Sequence, residues 1–169
     1  MDDVQETFRP STWGWVRGTA AGLATVLLGI AGIVAMIAAA GDWGAWPLLA
    51  TGLSVVIVMG KWLRNMAAKY QITPERLIVY RGIVFKSIDE IELYRIKDVR
   101  IDFTLINQVA GIGTLRVSSS DETTREGDLV MRHVERAQSR REQLRRLVDT
   151  ARQKRQVREI DMVHEDYNL

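Results

Sequence analysis

The chain contains two long apolar runs without a charged residue, at residues 19–40 and 45–60. As a helix, the first run of about 22 residues rises about 33 Å, which is enough to cross a hydrocarbon core of roughly 30 Å. The second run reaches spanning length when it is counted to residue 63, with the Lys61 ammonium extending to the headgroups. The pattern predicts a transmembrane helical hairpin with spans at 19–40 and 45–63, joined by an extracytoplasmic turn at 41–44.

The residues that flank both runs predict the orientation of this hairpin. Arginine and lysine precede the first run and follow the second, whereas the turn carries only Asp42. We therefore expect a multi-pass protein of a cytoplasmic membrane with both termini in the cytoplasm, where residues 1–18 form an N-terminal segment. A cleaved signal peptide is the competing interpretation, disfavoured because a second apolar run follows the first. All five tryptophans lie at the edges of the runs, where indole rings prefer the headgroup level: Trp13, Trp15, Trp43, Trp46 and Trp62.

Small residues recur in the first apolar run, several of them at a spacing of four. This spacing places small side chains on one stripe of a helix and lets another helix approach closely. Two interpretations remain open, namely packing against the second helix of the same chain and a contact between protomers. Neither apolar run, 19–40 or 45–60, contains an ionisable residue apart from the turn between them, which disfavours a transporter or channel built from one protomer's helices. The candidate positions for helix packing are Gly18, Gly22, Gly29, Ala31, Ala35 and Ala39.

After the second run the pattern changes to an alternation of apolar and polar residues. The alternation is strict at 99–104, which is typical of a strand with one buried face and one wet face. Shorter segments of the same kind follow Met66 and continue to about residue 134, including a strand that begins at 83–85. From 137 to 154 apolar residues recur at the i, i+3, i+4, i+7 positions of an amphipathic helix.

These elements predict an α+β protein. After the transmembrane hairpin we expect an antiparallel β-barrel or sandwich of six or seven short strands, capped by a C-terminal helix. The domain should cover residues 67–155. The remaining residues, 156–169, carry few apolar anchors and are expected to form a tail that is loose or engaged in an intermolecular contact.

Composition adds two points. Mean hydropathy is near zero only because an apolar first third is averaged with a polar remainder, and the polar part has a mildly basic surface that suits anionic headgroups. The chain has no cysteine, so disulfides and thiolate chemistry are excluded, which is consistent with a reducing compartment.

Four short motifs of the polar part carry a resemblance: YQITPERL at 70–77, Gly82 after the next strand, IELYRIKDV at 91–99 and GIGTLRV at 111–117. Together they resemble the bacterial pleckstrin-homology family bPH2 (DUF304) over about residues 69–151. The resemblance implies a PH-like split barrel of seven strands, closed at one end by the C-terminal helix. It also implies self-assembly, no catalysis and a place in the bacterial inner membrane. Residues 107–110 depart from the family pattern, so no role is carried over to that loop.

The residue inventory favours neither an enzyme nor a cofactor site. The pair Gly111 and Gly113 lacks the third glycine of a dinucleotide loop and precedes a strand rather than a helix. The two histidines, His133 and His164, have no spacing that suggests a catalytic triad or a zinc site. We therefore predict no catalytic residues, no cofactor and no metal.

Basic side chains near the spans and on the C-terminal helix are candidates for contact with membrane lipids. The helix arginines have three interpretations: a solvated face, contact with anionic headgroups, and nucleic acid binding. The last is disfavoured because the helix has no aromatic side chains that stack on bases. For Lys61 and Arg64, setting the topology is the simpler role. The candidate headgroup contacts are Lys61, Arg64, Lys69, Arg141, Arg145 and Arg152.

Two functional classes follow from the sequence. The first is a membrane-anchored, non-catalytic interaction or scaffold module that assembles with copies of itself and contacts anionic lipids. The second is an accessory subunit of a membrane transport or envelope-stress complex, whose partner would be another membrane protein.

Overall fold

A computed structural model describes residues 4–38, 44–120 and 127–166, with burial described as far as residue 156. Ala39 and the first residues of the predicted turn, including Trp43, lie outside the described residues. Seven strands and five α-helices are described: β1 (Glu6–Phe8), α1 (Thr12–Gly18), α2 (Ala20–Ala38), α3 (Leu48–Met66), β2 (Ala68–Ile72), β3 (Arg76–Arg81), β4 (Ser87–Glu92), β5 (Ile96–Asp102), α4 (Leu105–Val109), β6 (Ile112–Ser119), β7 (Leu129–Glu135) and α5 (Ala137–Asp166).

The strands form two antiparallel sheets. Strands β1-β2-β3-β4 make the first sheet and β5-β6-β7 make the second, and no strand pairing joins them within the described residues. The chain leaves β4 through a 3-10 helix at Leu93–Arg95, and buried Leu93 fills the corner. Strand β5 therefore enters a separate sheet instead of pairing with β4. The α+β prediction is confirmed, but the expected barrel is not closed.

The hydrophobic core lies where both sheets meet the first half of α5. Alternate positions of the strands point inward, as in β6, where Leu115 and Val117 are almost fully buried. From α5, Leu144 and Val148 enter the same cluster, as the helical spacing predicts. Each side chain of this size contributes about 1.5–3 kcal/mol when it leaves water. The core explains why the strands and α5 form one folded unit.

The N-terminal segment belongs to the folded unit. Strand β1 pairs with β2, so that Phe8 lies opposite Tyr70. The Ser11 hydroxyl accepts a hydrogen bond from the Gly14 amide at 2.8 Å and so caps α1, and it donates one to the Glu135 carboxylate of β7 at 2.6 Å. Residues before α2 are thus held against both sheets. The sequence does not predict β1, because a strand of three residues has no recognisable periodicity.

Two other features differ from the sequence prediction. Residues 83–85 form a turn rather than the start of a strand, because Gly82 has φ +98° and lies so close to the Phe85 carbonyl that a Cβ atom would collide with it. Helix α5 continues to Asp166, beyond the predicted end at residue 154.

Candidate functional site

Helix α2 has an outward surface made almost entirely of large apolar side chains. Leu27 is 65% exposed and Ile37 is 75% exposed. Within the described residues α2 is the one helix that is long and apolar enough to cross a membrane, by length and composition alone. Helix α3 also exposes apolar side chains, but Lys61 and Arg64 interrupt its last turns. One candidate span is therefore found where the sequence predicts two.

The glycines of α1 and α2 face other parts of the same chain. A Cβ atom on Gly18 would lie 2.6 Å from the Ile112 side chain, and one on Gly22 would strike α1 backbone atoms. A Cβ atom on Gly29 would lie 2.9 Å from the Ser54 hydroxyl of α3. By contrast, Ala31 is exposed. The glycines thus permit close packing within the chain, and Ala31 faces outward.

Two hydroxyl groups of α3 hold it against α2. The Ser54 hydroxyl donates to the Thr25 carbonyl at 2.7 Å, and the Thr51 hydroxyl donates to the Gly29 carbonyl at 3.0 Å. Such hydrogen bonds between helices in an apolar medium contribute about 0.6–2 kcal/mol each. Thr51 and Ser54 are not among the packing residues predicted from the sequence, although two hydroxyls three positions apart in an apolar run are a recognisable signal.

Basic residues at the end of α3 and the start of β2 lie near aromatic rings. The Lys61 ammonium lies 5.5 Å from the centre of the Trp15 ring, and the Lys69 ammonium lies 5.3 Å from that of Tyr80. One turn beyond Lys61, the Asn65 amide donates to the Thr12 hydroxyl at 2.9 Å. Arg64 is exposed. Lys61 and Lys69 thus lie over different rings, and their contact with lipid headgroups stays a prediction.

Two of the three predicted arginines of α5 bind the backbone of β5. The Arg141 guanidinium donates to the Val99 carbonyl at 3.1 Å, and that of Arg152 donates to the Ile96 carbonyl at 2.6 Å. Strand β5 is an edge strand, so these bonds satisfy carbonyls that a neighbouring strand would otherwise take. Arg145 is exposed beside the same edge. The α5 arginines thus have a structural role that the sequence did not reveal.

A fourth arginine, missed in the sequence, joins α5 to β1. The Arg140 guanidinium lies 4.2 Å from the centre of the Phe8 ring and pairs with the Glu6 carboxylate at 3.2 Å. The other Glu6 oxygen is buried without a hydrogen-bond partner. This contact anchors the first strand of the chain to its last helix.

His133 lies at an irregularity of the second sheet. The register of β6 and β7 shifts between Gly113 and Leu115, and His133 has φ 54°. Burial lowers its pKa to about 4, and the nearby charges of Lys61 and Arg132 act in the same direction. The ring borders a groove of about 240 Å³. Among the described residues there is no group of three His, Cys, Asp or Glu side chains that could hold a metal ion.

Apolar side chains are also exposed at two places away from α2 and α3. In the β3–β4 turn, Val84 and Phe85 are 83% and 92% exposed. On α4, Leu105 and Val109 are exposed to the same extent. Exposed apolar groups in clusters, unlike scattered ones, are typical of contact surfaces.

The described residues form two antiparallel sheets and a C-terminal helix, preceded by an apolar helix. The chain belongs to the bacterial PH domain family, whose model matches residues 15–148. The match confirms the family resemblance and extends it over α2 and α3. The family suggests a non-catalytic interaction module. No curated protein and no solved structure matches the chain.

Proposed function

We propose that the protein is a membrane-anchored interaction module, without catalysis, that assembles with copies of itself. The observation that carries this proposal is the outward apolar surface of α2. Helix α2 has 19 residues and no charge, and its large side chains point away from the protein. Contiguous apolar surfaces of this kind are unfavourable in water and favourable in lipid.

Helix α3 is proposed to enter the membrane with α2. The hydrogen bonds from Thr51 and Ser54 tie α3 along α2, so a bilayer that surrounds α2 also meets α3. Its exposed Val56 would face the acyl chains, while Lys61 would reach the headgroups over Trp15. This arrangement gives the predicted hairpin and leaves the domain at 67–155 on one side of the membrane.

The open edge of the first sheet supports self-assembly. Within the described residues β4 pairs with β3 and with no other strand. Its neighbour, the apolar turn at 83–85, is exposed, as is Ile88 on the strand itself. An unpaired strand edge beside an apolar tip is a surface to which a second copy can add. Cross-strand ion pairs of Arg76 with Glu90 and Arg81 with Asp89 leave β4 charged, which limits unspecific pairing.

Membrane anchoring is tested by substituting a residue at the middle of α2. In lipid, Ile30→Arg should disfavour insertion by about 2.5–3.5 kcal/mol, so the variant should appear in the supernatant after alkaline carbonate washing. In water, a charge at this half-exposed position would change stability by less than about 0.5 kcal/mol. Val4→Arg, outside the span, is the matched control and should stay in the pellet with the parent protein. Release of the parent protein by carbonate would refute the anchoring.

Self-assembly is tested by mass photometry of the detergent-solubilised chain over a range of concentrations. We expect an oligomer with a fixed number of subunits. A monomer at every concentration would contradict the proposal. Purification from native membranes with one foreign protein at fixed stoichiometry would favour the alternative, an accessory subunit of a larger complex.

A further inference from the structure

Helix α4 carries an apolar surface that neither sheet covers. Leu105 and Val109 are 84% and 93% exposed, and their spacing of four places them on one face of the helix. The Thr104 hydroxyl caps the helix by accepting a hydrogen bond from the Asn107 amide at 3.2 Å. Residues 103–115 contain no charge. The surface is therefore an uncharged helical face with two highly exposed apolar side chains.

The position of α4 places this face at the entry of the chain into α2. A Cβ atom on Gly18 would lie 2.9 Å from the Ala110 Cβ atom, so the end of α1 touches the end of α4. Helix α2, the candidate span, begins two residues later at Ala20. The apolar face of α4 therefore lies close to the start of α2, at the level where the membrane surface would be.

The charges around α4 favour lipid as its occupant. Arg17 is exposed one residue before Gly18, and Lys61 lies over Trp15 about one turn earlier on α1. The nearest acidic residue in the sequence, Asp102, is paired with Arg116. Basic groups beside an uncharged apolar face suit an interface with anionic headgroups better than contact with another basic chain.

We propose that α4 inserts Leu105 and Val109 into the boundary between headgroups and acyl chains of the bilayer that holds α2. The insertion supplies a second attachment and fixes the orientation of the two sheets relative to the membrane. This inference rests on the proposed anchoring by α2. The apolar face of an interfacial helix is buried about 5–10 Å into this boundary, the depth at which Leu105 and Val109 would lie.

Because the chain has no cysteine, a single probe can be placed on α4. The full chain carrying Val109→Cys is labelled with an NBD fluorophore and reconstituted in vesicles of phosphatidylcholine and phosphatidylglycerol. We expect a blue-shifted emission that shallow doxyl lipids quench and aqueous iodide does not. The control is Glu75→Cys, in the β2–β3 turn, which lies at the end of β2 remote from α3. Its probe should be quenched by iodide alone.

Each result has a defined meaning. Iodide quenching at 109 in protein that resists carbonate would refute the insertion of α4 and leave the anchoring intact. A blue shift that doxyl lipids do not quench, and that disappears when the protein is diluted in lipid, would overturn the proposal in favour of a second copy of the chain. Release of the whole protein by carbonate would refute the anchoring itself, and the insertion with it.

Discussion

His133 gives the protein a pH-dependent stability whose sign follows from its surroundings. Burial, together with the charges of Lys61 and Arg132, lowers the pKa of His133 from 6.5 to about 4. The unfolded chain therefore binds a proton at pH values where the folded chain does not. The contribution is fully present above about pH 6.5 and is lost progressively as the pH falls from 6.5 towards 4.

The expected loss of stability is smaller than the full pKa shift of His133 would give. A difference of 2.5 units corresponds to about 3.4 kcal/mol, but His133 is only partly buried and solvent screens its interactions. We therefore expect a loss of about 1.5 kcal/mol between pH 7.5 and pH 4.5. For a chain of this size that loss lowers the unfolding temperature by about 3–6 °C.

The test compares the parent protein with the variant His133→Asn, because asparagine adopts φ 54° readily and does not titrate. The full chain in detergent is unfolded by heating while its intrinsic tryptophan fluorescence is recorded, at pH 7.5 and at pH 4.5. Carboxylates contribute equally to both proteins, so the difference between their pH dependences isolates the histidine. Equal dependences in the two proteins would refute the reasoning, and so would a larger loss in the variant.

Three further substitutions test the packing and the proposed surfaces. Gly32→Val should lower the unfolding temperature, because its Cβ atom would lie 2.5 Å from a hydroxyl of α3 and 2.7 Å from a backbone carbonyl. Such a clash costs about 1–3 kcal/mol. The control Gly52→Ala meets no atom within 4 Å and should not lower the unfolding temperature. Arg140→Ala should destabilise the chain by about 2 kcal/mol, since it removes an ion pair and a ring contact with β1 and leaves the half-buried Glu6 carboxylate without its partner. The control Arg146→Ala, at an exposed position, should change stability by less than about 0.5 kcal/mol in the same assay. Phe85→Ser should weaken self-association by more than about tenfold in mass photometry, because burial of a phenyl ring contributes about 1.5–3 kcal/mol, and an unchanged mass distribution would remove the β3–β4 turn from the contact.

Long periodic segments were predictable from the sequence. The stripe that includes Leu144 and Val148 predicts the buried face of α5. The alternation at 99–104 predicts a strand, which the structure has as β5 with Val99 buried, although β5 ends at Asp102 and Phe103 is exposed. Their signal is strong because many positions repeat the same spacing. The bPH2 motifs extend the prediction to the family, which the match over residues 15–148 confirms.

Short or long-range features were not predictable. Strand β1 has three residues, and its pairing depends on β2, which lies about 60 residues later. The segment at 83–85 has strand-like composition, but the conformation of Gly82 makes it a turn. The bond of Arg152 to the Ile96 carbonyl could not be inferred, because the helical spacing shows which face of α5 is apolar and not which edge it covers.

The candidate cations for the proposed contact with lipid headgroups differ in how the fold holds them. Arg141 and Arg152 donate to the β5 backbone, and withdrawing either would leave an edge carbonyl without its partner. A guanidinium held in this way stabilises the fold, and only its remaining N–H donors are free to bind a lipid headgroup. Arg64 and Arg145 are exposed, and Arg64 lies in the last turn of α3, next to the proposed bilayer surface. Recognition of anionic lipid should therefore depend more on Arg64 than on Arg152, so Arg64→Ser should weaken binding of the solubilised chain to anionic lipid, whereas Arg152→Ser should chiefly lower its unfolding temperature.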